Sequence, residues 1–202
     1  MTRFFKALSL SVFFIITACS AEPQGEAERS GNWTLNPLES NISYVTIKSG
    51  PLGEINSFKD ISGRVSTDGK AEFIIALDSV HTNSETRDPR MKEFVFETGT
   101  YPEAKVSANL NMESFNALGI GSSKTVTLDM KLDLHGIIDE REFDVLVTRL
   151  GVNEVRVDSQ APLIIDAEFF GFEAGLAKLQ ELANLESISP IVSATVSLTF
   201  ER

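Results

Sequence analysis

TVTLDMKLDL, Thr125 to Leu134, decides the fold. Val126, Leu128, Met130, Leu132 and Leu134 fall on one side of an extended chain, and Thr125, Thr127, Asp129, Lys131 and Asp133 fall on the other. Successive side chains of a strand point to opposite faces, so this is a strand with one apolar and one solvated face. The same period of two runs through Ala104 to Met112, where every even position is apolar. It returns at the C-terminus, where Val192, Ala194, Val196, Leu198 and Phe200 alternate with Ser193, Thr195, Ser197 and Thr199.

Weaker strands are expected through Ile42 to Lys48, Ile61 to Thr67, Phe73 to Val80, Phe143 to Thr148 and Val155 to Ile165, the last interrupted at Pro162. Hairpin-like breaks are expected at Thr67 to Lys70, Gly119 to Lys124 and His135 to Glu140. The total is roughly eight strands, and closing a sheet of that size into a barrel removes its edges. The fold class is therefore all-β, an eight-stranded antiparallel barrel with one or two short helices. At this size the interior is either filled by side chains or roomy enough for one slender ligand, and the pattern fits both.

Two helical pieces interrupt the strands. Asp88-Pro89 predicts an N-cap with proline in the first turn, opening a short helix through PRMKEF. FEAGLAKLQELANLES, from Phe172, sets Leu176, Leu179, Leu182 and Ala183 on one stripe, as expected of a helix packed on the barrel or over one end of it.

The N-terminus has a different character. Arg3 and Lys6 precede an apolar run from Ala7 to Ile16, about ten residues, which is signal-peptide length and too short to span a bilayer. Ile16-Thr17-Ala18-Cys19 resembles a bacterial lipobox, and Cys19 is the single cysteine of the 202 residues, so no internal disulfide can form. The expectation is a lipoprotein signal over 1–18, lipidation at Cys19 and a flexible tether over 19–32, with one domain from 33 to 202. Ser20 stands where an inner-membrane retention signal places Asp, which favours the outer membrane, facing the periplasm. Cleavage removes Arg3 and Lys6 and no acid, taking the net charge from −11 to −13. Such a surface repels phosphates and anionic headgroups, which argues against nucleic acid and against a basic-patch membrane contact.

Catalysis has little to work with. His81 and His135 sit beside no nucleophile and lack metal-ligand spacing, and the carboxylates are spread over polar strand faces. GPLGE and LGIGSS lack the helix start that a phosphate loop needs and read as turns. Arg87 and Asp88 form either a cap with a neighbouring ion pair or a polar feature at the mouth of a cavity.

Ser79, Thr82, Arg87-Asp88, Met91, Phe94 and Tyr101-Pro102 together resemble the signature of the YceI-like family. Ser40, Ile42 and Tyr44, then Phe58 and Gly63, Leu134-His135-Gly136, and Phe169 with Gly171 extend the resemblance from Trp33 to the C-terminus. Asn56 departs from it where glycine is common, Met91 where leucine is, and Glu168 stands near an absent arginine. The resemblance implies an extended lipocalin-like barrel whose apolar cavity holds an isoprenoid or another long-chain lipid or amide. It also implies a periplasmic setting and, in some members, a cytochrome b561 partner. No catalytic residue, metal or cofactor is expected, apart from the bound lipid; a homodimer is left open.

The inward-facing positions supply the expected cavity lining: Tyr44, Phe58, Phe73, Ile75, Phe94, Val106, Ala108, Leu128, Met130, Leu132, Phe143, Val145, Phe169, Val196 and Leu198. Alternation gives these positions the same composition whether the barrel is hollow or filled. The competing expectation is an envelope interaction protein with a filled barrel.

Overall fold

The computed structural model describes residues 31–202. The expected signal over 1–18, Cys19 and residues 20–30 of the expected tether lie outside the described residues. Twelve strands among the described residues join in one antiparallel sheet. They are β1 (Trp33–Leu35), β2 (Asn41–Lys48), β3 (Leu52–Phe58), β4 (Ile61–Val65), β5 (Lys70–Ala76), β6 (Val80–His81), β7 (Glu103–Asn109), β8 (Ser123–Leu134), β9 (Ile137–Gly151), β10 (Glu154–Ser159), β11 (Leu163–Asp166) and β12 (Ile191–Glu201).

These twelve pieces make eight staves, because four of the staves are interrupted. β1 and β2 run along the same edge of β12, and β10 and β11 run along its other edge. β3 with β4, and β5 with β6, form the second and third staves. The ring closes where Thr34 and Leu35 pair with Glu201 and Phe200 and Tyr44 pairs with Ala194. The fold is thus a closed eight-stranded antiparallel barrel, and the expected break at Pro162 falls between β10 and β11.

β8 and β9 are the longest pair, and TVTLDMKLDL lies within β8. Twelve residues at about 3.4 Å each span about 40 Å. Their turn is two residues, His135 and Gly136, with φ of 56° and 76°. Two consecutive left-handed residues form the hairpin turn whose twist suits the flanking strands. The expected break at His135 to Glu140 is therefore too long: pairing resumes at Leu134↔Ile137, and Asp133 faces Ile138. One expected strand end also shifts. β7 stops at Asn109, and Met112 opens helix α2 (Met112–Asn116), capped by the Asn111 side chain accepting from the Glu113 amide.

The remaining helices cover the opposite end. α1 (Arg87–Arg90) leads directly into a π-helical turn, Met91–Val95, and α3 (Glu173–Ala183) packs on that turn. Asp88 is not the N-cap of α1: Thr86 holds that position without a side-chain bond, and Pro89 lies inside the helix rather than at its first residue. On α3, Gly175 and Leu179 are buried while Leu182 is exposed, so the expected stripe is rotated towards the N-terminal glycine. α3 ends at Asn184 in the left-handed region, which satisfies its last carbonyls.

Candidate binding cavity

The inner faces of the staves do not meet across the barrel axis. Three chambers of about 80, 180 and 120 Å3 follow one another from the α2 end to the α3 end. Each shares walls with the next. Val65, Leu128, Val145 and Phe200 line both the first and the central chamber; Ile42, Ile75, Leu132 and Ala194 line both the central one and the third. The walls are almost wholly hydrocarbon. Arg64, largely exposed, and Glu72, partly buried, border the central chamber and pair with each other at 3.3 Å.

Most of the expected positions border the chambers. Phe73, Ile75, Val106, Ala108, Leu128, Met130, Leu132, Phe143, Val145, Val196 and Leu198 border the central chamber, and Tyr44 and Phe58 border the third. Phe94 and Phe169 do not line it. Phe169 is half exposed, lying against Phe170 at 5.0 Å, and its place is taken by Phe172; Phe94 is replaced by Val95 and Phe96. Both misplaced residues lie outside strands, where period two carries no information. The π turn holds five residues where an α turn holds fewer, and this shifts by one position which side chains face inward. Tyr44, Phe58, Phe96 and Phe172 stand in a ring-to-ring series at 5.5, 5.6 and 5.8 Å along the third chamber.

Trp33 and Arg149 line the chamber at the α2 end. Trp33 lies buried with the Arg202 guanidinium 4.3 Å from its ring centroid and that of Arg149 at 5.4 Å. Arg149 is 1% exposed and donates through Nε to the Gly151 carbonyl at 2.6 Å and through a terminal nitrogen to that of Val152. A charge so buried is tolerable because carbonyls and an aromatic face replace water around it. Arg149 escaped the sequence reading, although it continues the inward parity of Phe143, Val145 and Val147. Parity was the available signal, and charge argued against it.

The α3 end opens differently. A polar groove of about 400 Å3 shares Thr46, Met91, Leu176 and Ile188 with the third chamber, so it forms a mouth. Lys48, Glu54, Arg87 and Arg90 line the groove. Glu54 accepts from Lys48 at 2.7 Å and from Arg87, whose other terminal nitrogen donates to the Thr82 carbonyl at 2.7 Å. Asp88 accepts from the Thr82 amide at 2.8 Å and its hydroxyl at 2.5 Å, bracing the loop below. Of the two sequence readings of Arg87-Asp88, the structure supports the polar mouth.

Burial alone would push the Glu54 and Asp88 carboxyls up. Hydrogen bonds from Lys48 and Arg87 to the first, and from Thr82 to the second, outweigh it and hold both below the usual range. Burial pushes the Tyr44 phenol well above its usual range despite the nearby Arg87 charge, so the hydroxyl stays neutral.

The histidines have separate surroundings. His81 Nδ1 lies 3.6 Å from the Asp88 carboxylate. His135 contacts the Phe170 carbonyl at 3.0 Å and Glu97 at 2.9 Å, its ring tilted against those of Tyr101 and Phe172. Neither lines a chamber.

Comparison with known proteins follows this geometry. The family model described as the YceI-like domain matches residues 33–201. A polyisoprenoid binding domain from Saccharophagus degradans, implicated in plant cell wall breakdown, is 33% identical. Its match covers 84% of this chain and 97% of that one, with a TM-score of 0.82. BcnA of Burkholderia cenocepacia, 19% identical, matches over 82% of this chain and 98% of its own with a TM-score of 0.64. The YceI protein of Campylobacter jejuni, 16% identical, matches over 73% and 84% with a TM-score of 0.52, and like BcnA speaks to the fold alone. No curated protein matches the chain.

Proposed function

Because this chain belongs to the YceI-like domain family, and because its barrel encloses a file of apolar chambers, we propose that it binds a polyisoprenoid or another long-chain lipid along the barrel axis. The observation that carries the reading is the shared walls: a slender chain entering past Met91 and Leu176 meets hydrocarbon as far as Trp33. Each buried methylene contributes about 0.8 kcal/mol, so affinity comes from length, with no chemical step needed. The role is that of a carrier or scavenger rather than a catalyst. The lining residues named above are the proposed contacts, and the polar mouth orients the head.

The setting we propose is the bacterial envelope, with Cys19 lipidated and the barrel facing the periplasm from the outer membrane. A free acyl or isoprenoid chain is insoluble in that compartment, and a shielded chamber is what moving it through water requires.

The test is native mass spectrometry of residues 20–202, produced in a bacterium and purified without detergent, with lipid analysis of the denatured protein. A discrete added mass of isoprenoid or long-chain type is the expected result. A bare mass that persists after incubation with envelope lipid extract would overturn the reading in favour of a filled barrel that docks a protein partner.

A further inference from the structure

At the α2 end the β8–β9 hairpin overhangs its neighbour. The ladder between β7 and β8 ends at Ser107↔Lys131, whereas β8 pairs with β9 along all twelve of its residues. Continued in that register, Asn109, the last residue of β7, falls opposite Asp129. Ser123 to Leu128 therefore extend beyond β7. The wall of the first chamber on that side is made by Met112 and Phe115 of α2 and by Leu118 just after it, together with Leu128. This part of the wall is held by side-chain packing rather than by a ladder, and none of the five residues of α2 is buried. Local opening costs least where few apolar contacts are buried, so displacing α2 costs less than parting two paired strands.

The apolar surface does not stop at the chamber. Val126 has the inward parity of Leu128 and pairs with Val145, yet it borders none of the three chambers and is only partly buried. On the facing side Leu118 lines the first chamber, and Ile120, two residues on, is 59% exposed. Hydrocarbon thus leads from the first chamber out past α2 to the surface, where a chain leaving the barrel would cover it. The length of the barrel gives this a use. Twelve strand residues, tilted by about 40°, rise only about 30 Å along the axis. An extended triprenyl chain is shorter than that, and an extended nonaprenyl chain is longer.

Resting on the lipid-binding reading, we propose that the barrel is open at both ends, and that the gap between α2 and the overhanging part of β8 is a second portal, through which the far end of a polyisoprenoid longer than the barrel emerges. The barrel then sets no upper limit on chain length, and its ligands include chains whose tails remain partly outside.

The test uses residues 20–202, which lack Cys19, so that an engineered thiol is the only one. Lys124→Cys places it on the overhang, on the same face as Val126, and Thr86→Cys places it in the groove at the opposite end. Both positions are exposed and Thr86 makes no side-chain capping bond, so both variants should fold. The probes are triprenyl and nonaprenyl alcohols with a bromoacetamide at the end remote from the hydroxyl. Native mass spectrometry reads the bound probe, and the mass of the unfolded protein reads the thioether. Confinement beside a thiol raises the local concentration to about the millimolar range, so at micromolar probe the nonaprenyl compound should alkylate Lys124→Cys about a hundredfold faster than the triprenyl one. It should alkylate Thr86→Cys no faster than the triprenyl one does. A bound nonaprenyl probe that alkylates neither thiol, or Thr86→Cys instead, overturns the portal while leaving the lipid cavity standing. So does equal alkylation of Lys124→Cys by both probes, or binding of the triprenyl probe alone, which would mean that the barrel ends at Trp33 and caps chain length. Binding of neither probe overturns the cavity reading itself, and the portal with it.

Discussion

Gly175 of α3 lies so close to the backbone of Phe94 that a Cβ on it would come within 2.1 Å of the Phe94 carbonyl oxygen. The helix can therefore rest directly on the π turn, and the two together frame the mouth through Leu176 and Met91. Gly175→Ala sets two effects against each other. Alanine favours a helix interior by about 1 kcal/mol. The contact, however, is with backbone on a neighbouring element, which cannot rotate away, and overpacking of this kind costs about 1–3 kcal/mol or more. The clash should win, lowering the urea midpoint of unfolding without changing the slope. A midpoint that rises would mean that α3 does not sit on the π turn.

Ala108 on β7 borders the central chamber beside Val106 of the same strand and Phe73 of β5. Ala108→Trp places an indole across the path of a tail running from the mouth towards Trp33. Proteins with the substitution should fold, because the added volume enters space already present, and should copurify with little or no long-chain lipid. The check is lipid extraction from wild type and variant at matched circular dichroism. Undiminished lipid in a well-folded variant would mean that the bound chain does not pass Ala108.

Period-two alternation exposed the strands because it needs only local information: in Thr125 to Leu134 the parity of each residue fixes its face before any partner is known. The same parity carried Tyr44, Phe58, Val106 and Val196 to the interior. It failed where the chain leaves the extended state, so Phe94 and Phe169 went astray. Charge hid other positions. Asp139 and Glu140 fell within the expected turn, yet they continue β9, where Arg141 pairs with Asp139 and donates to the Ile164 carbonyl at 2.7 Å. Asn56 shares the parity of Phe58 but stood out in the sequence only as a departure from the family's glycine, and its bonds depend on Thr46 and Glu54 being where the β2–β3 register puts them.

Cys19 is expected to carry the whole membrane attachment, because a net charge of −11 before processing gives the chain no electrostatic affinity for anionic lipid. A single acyl chain holds a protein only marginally, whereas several hold it stably. Cys19→Ala should therefore abolish incorporation of labelled palmitate and leave the signal uncleaved at that site. Palmitate labelling that survives the substitution would place the anchor elsewhere.

Stability at the mouth should depend on acid in a defined direction. Asp88 is held below the usual carboxylate range: burial opposes this, but bonds from the Thr82 hydroxyl and amide, with the charges of His81 and Arg87, prevail. In the unfolded chain such a carboxyl titrates near about pH 4. A folded value lower than the unfolded one means that the contribution is complete above the unfolded value. It declines as pH falls from there and is gone below the folded value, where both states are protonated. Asp88→Asn removes the charge while keeping an acceptor for Thr82. The variant should have a lower thermal midpoint than wild type at neutral pH, and the gap should close as pH drops from about 5 to about 2. Glu54, lowered by Lys48 and Arg87 against its own burial, gives the same sign, so Glu54→Gln should show the same narrowing. A gap independent of pH in both variants would mean that the ion pairs at the mouth are not what holds these carboxylates, and thermal scans at a series of pH values decide it.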